Sequence, residues 1–471
     1  MGKPELKVII VGGSIAGLSL AHCLYRANID HIVLEKRQEI APQEGASIGI
    51  WPNGARMLEQ LGLYKELEKL TEPLHMMHIA YPDGFYFDDP LPKTINQRFG
   101  YPIIFLDRQK FLETLYRTYP DKSKIVTNTR VSEVQSSESS ARVITENGTV
   151  YEGDIVMGAD GVHSLVRREM WRLADLKQPG SIPRHEKTNM AVEYCCVYGI
   201  SSPIAGLRGG ECVNSYMDGM TVLTFHGKGG RVYWFVIKKL HDKYIYPNTP
   251  RYTIDDAEKL CTQHRDTTVW NDIRIGHLWD NREVVSMTAL EESLFAQWHF
   301  DRIGLMGDSI HKMTPNIGQG ANSAIEDAAV LSSLLVHLMT RESPRRPSAA
   351  RIHRLLQDYQ ACRYERAETI YHKSRFGARF QSRDDAVKLI VGRYLTPRVR
   401  DYLANLSSML IANGEIIQFL PFPKRSGPGW EKFRNKGEWM PYTPLALFCA
   451  ILLVQQVMPF LGVASPILLV S

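Results

Sequence analysis

The chain opens on a continuous apolar run, Lys7 to Val11 (KVIIV), the pattern of a strand buried on both faces. A glycine-rich turn follows, and then Leu18 to Ala27, rich in leucine and alanine and helical in period. His31 to Glu35 (HIVLE) reads as a second buried strand, so the first part of the chain has the order of a βαβ unit. Residues 55–70 predict one amphipathic helix, with Met57, Leu58, Leu61, Leu67 and Leu70 on one face. From 73 to 106 the pattern turns β-like, and 107–119 is helical again. Alternation at 124–135 and 141–146 predicts a half-exposed meander, while 154–158 (DIVMG) and 303–306 (IGLM) read as further buried strands. Residues 186–239 are dominated by β-branched and aromatic side chains, which predicts an antiparallel sheet suited to one wall of a substrate chamber. A helix is expected from 320 to 340, a linker at 341–350 (RESPRRPSAA), and mostly basic helices over 351–420.

Length changes this picture first. At 471 residues the chain exceeds one ordinary core, and two or three subdomains are expected. With 44% hydrophobic and 23% charged residues, it is not a disordered chain. A net charge of +5, without a basic stripe interleaved with aromatics, is too weak to argue for nucleic acid. The seven cysteines are scattered and form no C-x-x-C pair, which speaks against a disulfide framework or a metal site. Buried, inert thiols in a reducing compartment are the expectation. The first residues lack the basic start and long apolar run of a secretory signal, so the sequon Asn147-Gly148-Thr149 is expected to stay unused.

Beyond Glu438 no charge occurs as far as Ser471, and Leu445 to Ala464 matches the length needed to cross a bilayer. Gln455, Gln456 and Pro459 dent this run, so a helix lying in the interface or a hydrophobic hairpin against the enzyme are alternatives. Lys424, Arg425, Lys432, Arg434 and Lys436 precede it, which would keep the folded part on the cytosolic side.

Three motifs carry the chemistry. Gly12-Gly13-Ser14-Ile15-Ala16-Gly17 sits at the strand–helix turn, where unpaired N–H groups and the helix dipole suit a pyrophosphate. Gly12 permits the tight turn and Gly17 close helix packing, while Ser14 stands where a second glycine is usual. Glu35 lies 18 residues beyond Gly17, where an acidic side chain accepts from ribose hydroxyls. The second motif runs from Gly153 to Arg168 and contains Gly158-Ala159-Asp160-Gly161. The third is Gly304-Leu305-Met306-Gly307-Asp308-Ser309-Ile310-His311, followed by Pro315-Asn316-Ile317-Gly318-Gln319-Gly320-Ala321-Asn322. A loop carboxylate there can accept from a ribitol hydroxyl, and the next helix N-terminus can face charge.

In this order and spacing the motifs resemble the flavoprotein aromatic hydroxylases of the para-hydroxybenzoate hydroxylase type, over residues 7–375. The wording GGSIAGLSLA and GDSIHKMTPNIGQGAN is most similar to the fungal FAD-dependent epoxidases of meroterpenoid and indole-diterpene biosynthesis. The resemblance implies an α/β fold. A Rossmann-like FAD-binding domain (1–72, 107–180 and 283–340) would hold an inserted antiparallel β-sheet substrate domain (73–106 and 181–282), followed by C-terminal helices (345–436) and a membrane segment (441–468). It implies that Gly12, Ser14 and Gly17 hold the FAD pyrophosphate and Glu35 the adenosine ribose. Gly49 would line the flavin, Arg108 would contact FAD, and Asp160 and Gly161 would touch both FAD and NADPH. Asp308 would bind the ribitol, and Ala321 would border the isoalloxazine. No second G-x-G-x-x-G is present, in keeping with NADPH as a transient reductant.

The implied reaction uses NADPH and O2 to epoxidise the prenyl chain of a small molecule, ahead of a membrane terpene cyclase, at the endoplasmic reticulum. The alkene is itself the nucleophile, so no protein base need ionise the substrate, while a buried proton donor would help. Tyr216 is the first candidate and Tyr194 the second, both on the aromatic sheet, where packing is the ordinary role of tyrosine. His311 is expected to be a loop hydrogen-bonder. Competing readings are a salicylate-type aromatic hydroxylase, a non-catalytic prenyl-lipid-binding module of flavoprotein fold, and a reversible FAD dehydrogenase.

Overall fold

The computed structural model describes residues 6–44, 47–341, 346–399 and 401–435. The expected membrane segment at 441–468, Lys436 and Cys449 lie outside them. Parallel strands covered on both faces demand apolar runs. The chain supplies four: Lys7–Val11, Asp30–Leu34, Ile155–Gly158 and Ile303–Leu305. They pair side by side, with Ile155–Gly158 next to Lys7–Val11 on one flank and Asp30–Leu34 on the other. Ile125–Val126 closes one edge in parallel and His299–Phe300 the other in antiparallel sense. Helix Ile15–Arg26 packs on helix Gly320–Arg341. The alternating segments form a three-stranded meander, Val131–Ser136, Ala141–Thr145 and Val150–Gly153.

The second sheet has eight strands, centred on Ala191–Ser201, Val232–Ile245, Met220–His226 and Glu211–Met217. Its two faces follow the period of two along each strand. Val197, Met217, Val222, Trp234 and Val236 form a separate core with Ala257 and Cys261 of helix Ile254–Gln263. Tyr194, Cys196, Tyr216, Leu223 and Phe235 belong to the core shared with the parallel sheet. The side chains that alternate with the outer core therefore look toward the first domain.

Four expectations are corrected. Residues 55–70 form two helices, Pro52–Gln60 and Tyr64–Leu70, because Gly62 takes a left-handed φ of 82° between them. The β-like stretch 73–106 contains strands Met76–Ala80, Tyr86–Asp89 and Ile104–Asp107, but also helix Leu91–Phe99, ended by Gly100 at φ 77°. Strand Arg282–Leu294 is part of the eight-stranded sheet, so the boundary expected at 283 falls inside a continuous strand. Cys362 is exposed, whereas Cys23, Cys195, Cys196, Cys212 and Cys261 are buried. Gly320–Thr340 is long and apolar enough to cross a membrane, but most of it is buried and it serves as a core helix.

Candidate functional site

Each parallel ladder continues one residue past its strand. Gly12 N–H donates to the Leu34 carbonyl at 2.8 Å, Ala159 to Val11 at 2.8 Å and Met306 to Gly158 at 3.0 Å. Three loops thus leave the carboxyl ends of neighbouring strands together, the usual ligand position of an open α/β sheet. Gly12 has φ 108°, and a Cβ there would lie 2.4 Å from the Ala159 carbonyl oxygen. A Cβ on Gly17 would lie 1.9 Å from the Gly12 oxygen. Both glycines are steric requirements of the turn.

Glu35 is buried at the end of the second strand, where its carboxylate accepts from Gly13 N–H at 2.6 Å and Arg37 N–H at 2.9 Å. Ser14 is the N-cap of helix Ile15–Arg26 without a side-chain capping bond. Its hydroxyl instead accepts from Arg108 at 2.7 Å, and Arg108 also pairs with Glu44 at 3.2 Å. Arg108 starts the helix that follows Ile104–Asp107, the strand paired with Ser47–Ile50, which carries Gly49. Phe105 lies across Gly49, where a Cβ would come within 2.7 Å of the ring. The structure therefore brings Ser14, Arg108 and Gly49 to one side of the glycine turn.

Asp160 is committed to its own helix. Its carboxylate accepts from Ser164 Oγ at 2.5 Å, Leu165 N–H at 2.7 Å and Val166 N–H at 3.1 Å, which caps Leu165–Lys177. Burial raises its pKa, opposed by these donors. Gly161, at φ 84°, has open space where a Cβ would stand. Arg167, from the same helix, donates to the Ser309 carbonyl at 2.7 Å and to Val162 at 2.8 Å. It ties the second motif to the third.

Asp308 sits on the turn after Ile303–Leu305 and pairs with Lys312 at 2.8 Å. Burial alone would raise its pKa, but the Lys312 ammonium outweighs this and holds the carboxyl below its ordinary value. Behind the turn lies a buried ionic network. Asp327 accepts from Gly307 N–H at 2.9 Å, contacts His311 Nε2 at 2.7 Å and accepts from Arg363 at 2.9 Å. Glu326 accepts from Arg363 at 2.7 Å and from Asn53 at 2.8 Å, and it also pairs with Arg366 at 2.5 Å. His311, Glu326, Asp327 and Arg363 have no side-chain exposure. Sequence reasoning missed this network, because its members are brought together from three helices and a short strand. Asn322, beside Ala321, donates to the carbonyls of Gly49 at 3.0 Å and Gly318 at 2.8 Å. Gly49 and Ala321 are thereby held on facing segments.

The two tyrosines differ. Tyr194 Oη donates to Asp384 at 2.8 Å and lies 3.2 Å from Ser382 Oγ, so its hydroxyl is engaged by the end of the C-terminal helix. Tyr216 packs edge-on to Tyr81 and Phe380, with ring centroids 5.8 and 6.1 Å away. Burial pushes its pKa above the ordinary tyrosine value, opposed by hydrogen bonds with Asn214 and Gln381, so the hydroxyl keeps its proton at neutral pH. A further aromatic line runs from Phe105 through Phe225, stacked at 3.7 Å, to Phe235 and Tyr198.

A flavin dinucleotide fits the residues present. The glycine turn leaves no room for a side chain, and Gly320 opens its helix where a Cβ would meet nothing within 4 Å. Among the described residues, Trp51 Nε1, Asn316 Oδ1 and Gln319 Nε2 are buried around this loop without a partner. Such orphans call for a ligand or water.

Comparison with known proteins bears on the same region. The FAD binding domain family model matches residues 5–374. The chain is 84% identical over 471 residues to the FAD-dependent monooxygenase andE of Emericella variicolor, covering all of both chains. It is 60% identical to nvfK of Aspergillus novofumigatus over 92% of this chain and 93% of that one, and 51% identical to atmM of Aspergillus flavus over 99% and 96%; both carry the same description. Among solved structures, Klebsiella pneumoniae HpxO complexed with FAD and uric acid superimposes with a TM-score of 0.70 at 22% identity, over 88% of this chain and 98% of that one. The glycine turn, the Asp308 loop and these matches agree: the chain belongs to the FAD binding domain family and stands among its FAD-dependent monooxygenases.

Proposed function

We propose that this monooxygenase uses NADPH and O2 to epoxidise the farnesyl or geranylgeranyl chain of a meroterpenoid or indole-diterpene precursor before its cyclisation. The observation that carries the reading is the inner face of the eight-stranded sheet, where Tyr194, Tyr216, Leu223 and Phe235 belong to the aromatic and aliphatic core that the sheet shares with the cofactor half. An isoprenoid chain suits such a wall, since burying each methylene contributes about 0.8 kcal/mol.

In this reading Gly12, Ser14 and Gly17 hold the FAD pyrophosphate and Glu35 the adenosine ribose. Arg108, braced on Ser14, adds positive charge beside the phosphates. Asp308 accepts from the ribitol, and Gly49 and Ala321 border the ring. Gly161 offers backbone where Asp160 cannot offer a free carboxylate, because one of its oxygens accepts from the Ser164 hydroxyl and the other from the first N–H groups of a helix. Bound flavin, reduced by NADPH, supplies the activation of O2, one atom of which passes to the alkene while the other leaves as water. The protein's part is to exclude water, align the alkene and hold a proton. Tyr216, protonated, packed against Tyr81 and Phe380 and within reach of the Asn214 and Gln381 amides, is the donor; Tyr194 is a packing residue whose hydroxyl is held by a carboxylate. The charge-free run beyond Glu438 and the cations before it support an anchor in the endoplasmic reticulum with the catalytic part cytosolic, beside a membrane terpene cyclase.

The test is NADPH oxidation and O2 uptake by purified protein with farnesylated or geranylgeranylated aromatics, products read by mass. A gain of one oxygen that disappears in Asp308→Ala is expected. Rapid turnover of a small phenol, with prenylated compounds untouched, would replace this reading by the aromatic hydroxylase.

A further inference from the structure

The long C-terminal helix Ala349–Gln381 ends against the hairpin that carries Tyr216. Gly219 N–H, in the hairpin turn, donates to the Ser382 carbonyl at 2.8 Å, and Arg383 reaches Asp218 at 3.3 Å. Phe380 meets the Tyr216 ring edge-on. These contacts hold the buried Gln381 with its amide within reach of the Tyr216 hydroxyl.

The same stretch of helix also carries the loop that follows Asp308. Ser374, Gly377 and Gln381, spaced by three and four residues, lie on one helix face. Ser374 Oγ donates to the Thr314 carbonyl at 2.7 Å. A Cβ on Gly377 would lie 3.2 Å from Ile317 Cγ2, so the loop rests directly on the helix. One turn further, Asn316 Nδ2 donates to Gln381 Oε1 at 2.6 Å. With its oxygen turned to Asn316, the Gln381 amide presents its N–H groups on the other side.

The sense of the hydrogen bonds separates the two tyrosines at this helix end. Tyr194 gives its hydrogen to the Asp384 carboxylate. At Tyr216 burial raises the pKa, as do the nearby Asp89 and Cys212, while Asn214 and Gln381 oppose it, as N–H groups donating into a phenol oxygen do. A hydroxyl that receives such bonds keeps its own hydrogen available, and the charge it would leave behind is met by donors. We infer that Gln381 is a positioning residue: oriented by Asn316 on the loop after Asp308, it holds the Tyr216 hydroxyl. The catalytic use of this chain rests on the function proposed above; the chain itself does not. In that use the Tyr216 O–H bond breaks and its proton joins the oxygen that leaves as water. The phenol oxygen keeps the electron pair beside the Gln381 and Asn214 N–H groups, and a proton from solvent restores it.

The experiment puts 3,5-difluorotyrosine in place of Tyr216 in the full-length, flavin-loaded protein and follows its ionisation by the 19F resonance. Gln381→Leu should raise that pKa by about one pH unit, the worth of one N–H bond to a charged oxygen. Gln381→Met, closer in length, serves if leucine disturbs the helix end. Asn316→Ala should raise the pKa in the same direction, and the double variant Asn316→Ala/Gln381→Leu no further than Gln381→Leu alone. An unmoved pKa in the Gln381 variants, or effects of the two positions that add in full, would overturn the inference. Turnover of a farnesylated aromatic reads the catalytic use separately. Gln381→Leu should lower kcat at unchanged KM and flavin content, and should lower it no further in a Tyr216→Phe background. A raised pKa with kcat unmoved would uphold the chain and refute Tyr216 as the proton donor, so the two failures are told apart.

Discussion

Replacing Arg363 by methionine removes one cation from between two buried carboxylates. Arg363 bonds Glu326 at 2.7 Å and Asp327 at 2.9 Å, and none of the three side chains is exposed. Removing one partner of such a pair costs about 3–5 kcal/mol, since a buried charge is left behind. Glu326 retains Arg366 and Asn53, and Asp327 retains Gly307 N–H and His311, so the lower end, about 3 kcal/mol, is expected. The loss should be local as well as global, because Asp327 fixes Gly307 next to Asp308. Denaturant unfolding followed by flavin fluorescence and circular dichroism should show flavin release at lower denaturant than in the parent. Acid adds a second signature. Burial raises the Asp327 pKa, but His311 and Arg363 outweigh it and hold the carboxyl at about 2, against an ordinary 3.8. A lowered pKa contributes stability above 3.8 that is lost as pH falls toward 2. Without Arg363 the folded pKa rises, and the variant should begin to fail at higher pH than the parent. Unfolding within about 1 kcal/mol of the parent, with an unmoved acid limb, would refute the reasoning, since a buried pair broken at one end should cost more.

Gly12→Ala should give soluble but colourless protein, because its Cβ falls 2.4 Å from the Ala159 oxygen; a normal flavin spectrum after purification would count against the turn as cofactor cradle. Arg108→Ala should weaken FAD binding by roughly tenfold, the worth of one charge-assisted contact, as read by titration of the apoprotein with FAD. Tyr194→Phe loses one bond to Asp384, so about 1 kcal/mol of stability and little turnover should go. Tyr216→Phe should instead cut kcat by roughly tenfold or more at unchanged flavin content; equal rates in the two variants would remove Tyr216 as proton donor.

Much of the cofactor half was legible because its physics is local. Parallel strands read as unbroken apolar runs, and Gly12, Gly17 and Glu35 sit at offsets fixed by one turn and one helix. The helix break at Gly62 was missed because Leu61 and Leu67 keep the hydrophobic pattern across it. Helix Leu91–Phe99 hid between two strands. The caps and the ionic network were illegible for another reason. Asp160 carries a motif that points to a ligand, yet its neighbours Ser164 and Leu165 claim its oxygens. Arg363 is separated by more than thirty residues from Asp327, and only the packing of two long helices brings them together. Which sheet face looks inward was readable as a period of two, but not which partner each tyrosine hydroxyl would meet.

The most direct measurement of the central claim is turnover of a farnesylated aromatic under 18O2 with NADPH, followed by fragmentation of the product. One labelled oxygen located on the prenyl chain, absent when FAD is stripped and restored when it is returned, is the predicted result. Label on the aromatic ring, or NADPH consumed with no label in any organic product, would contradict the account.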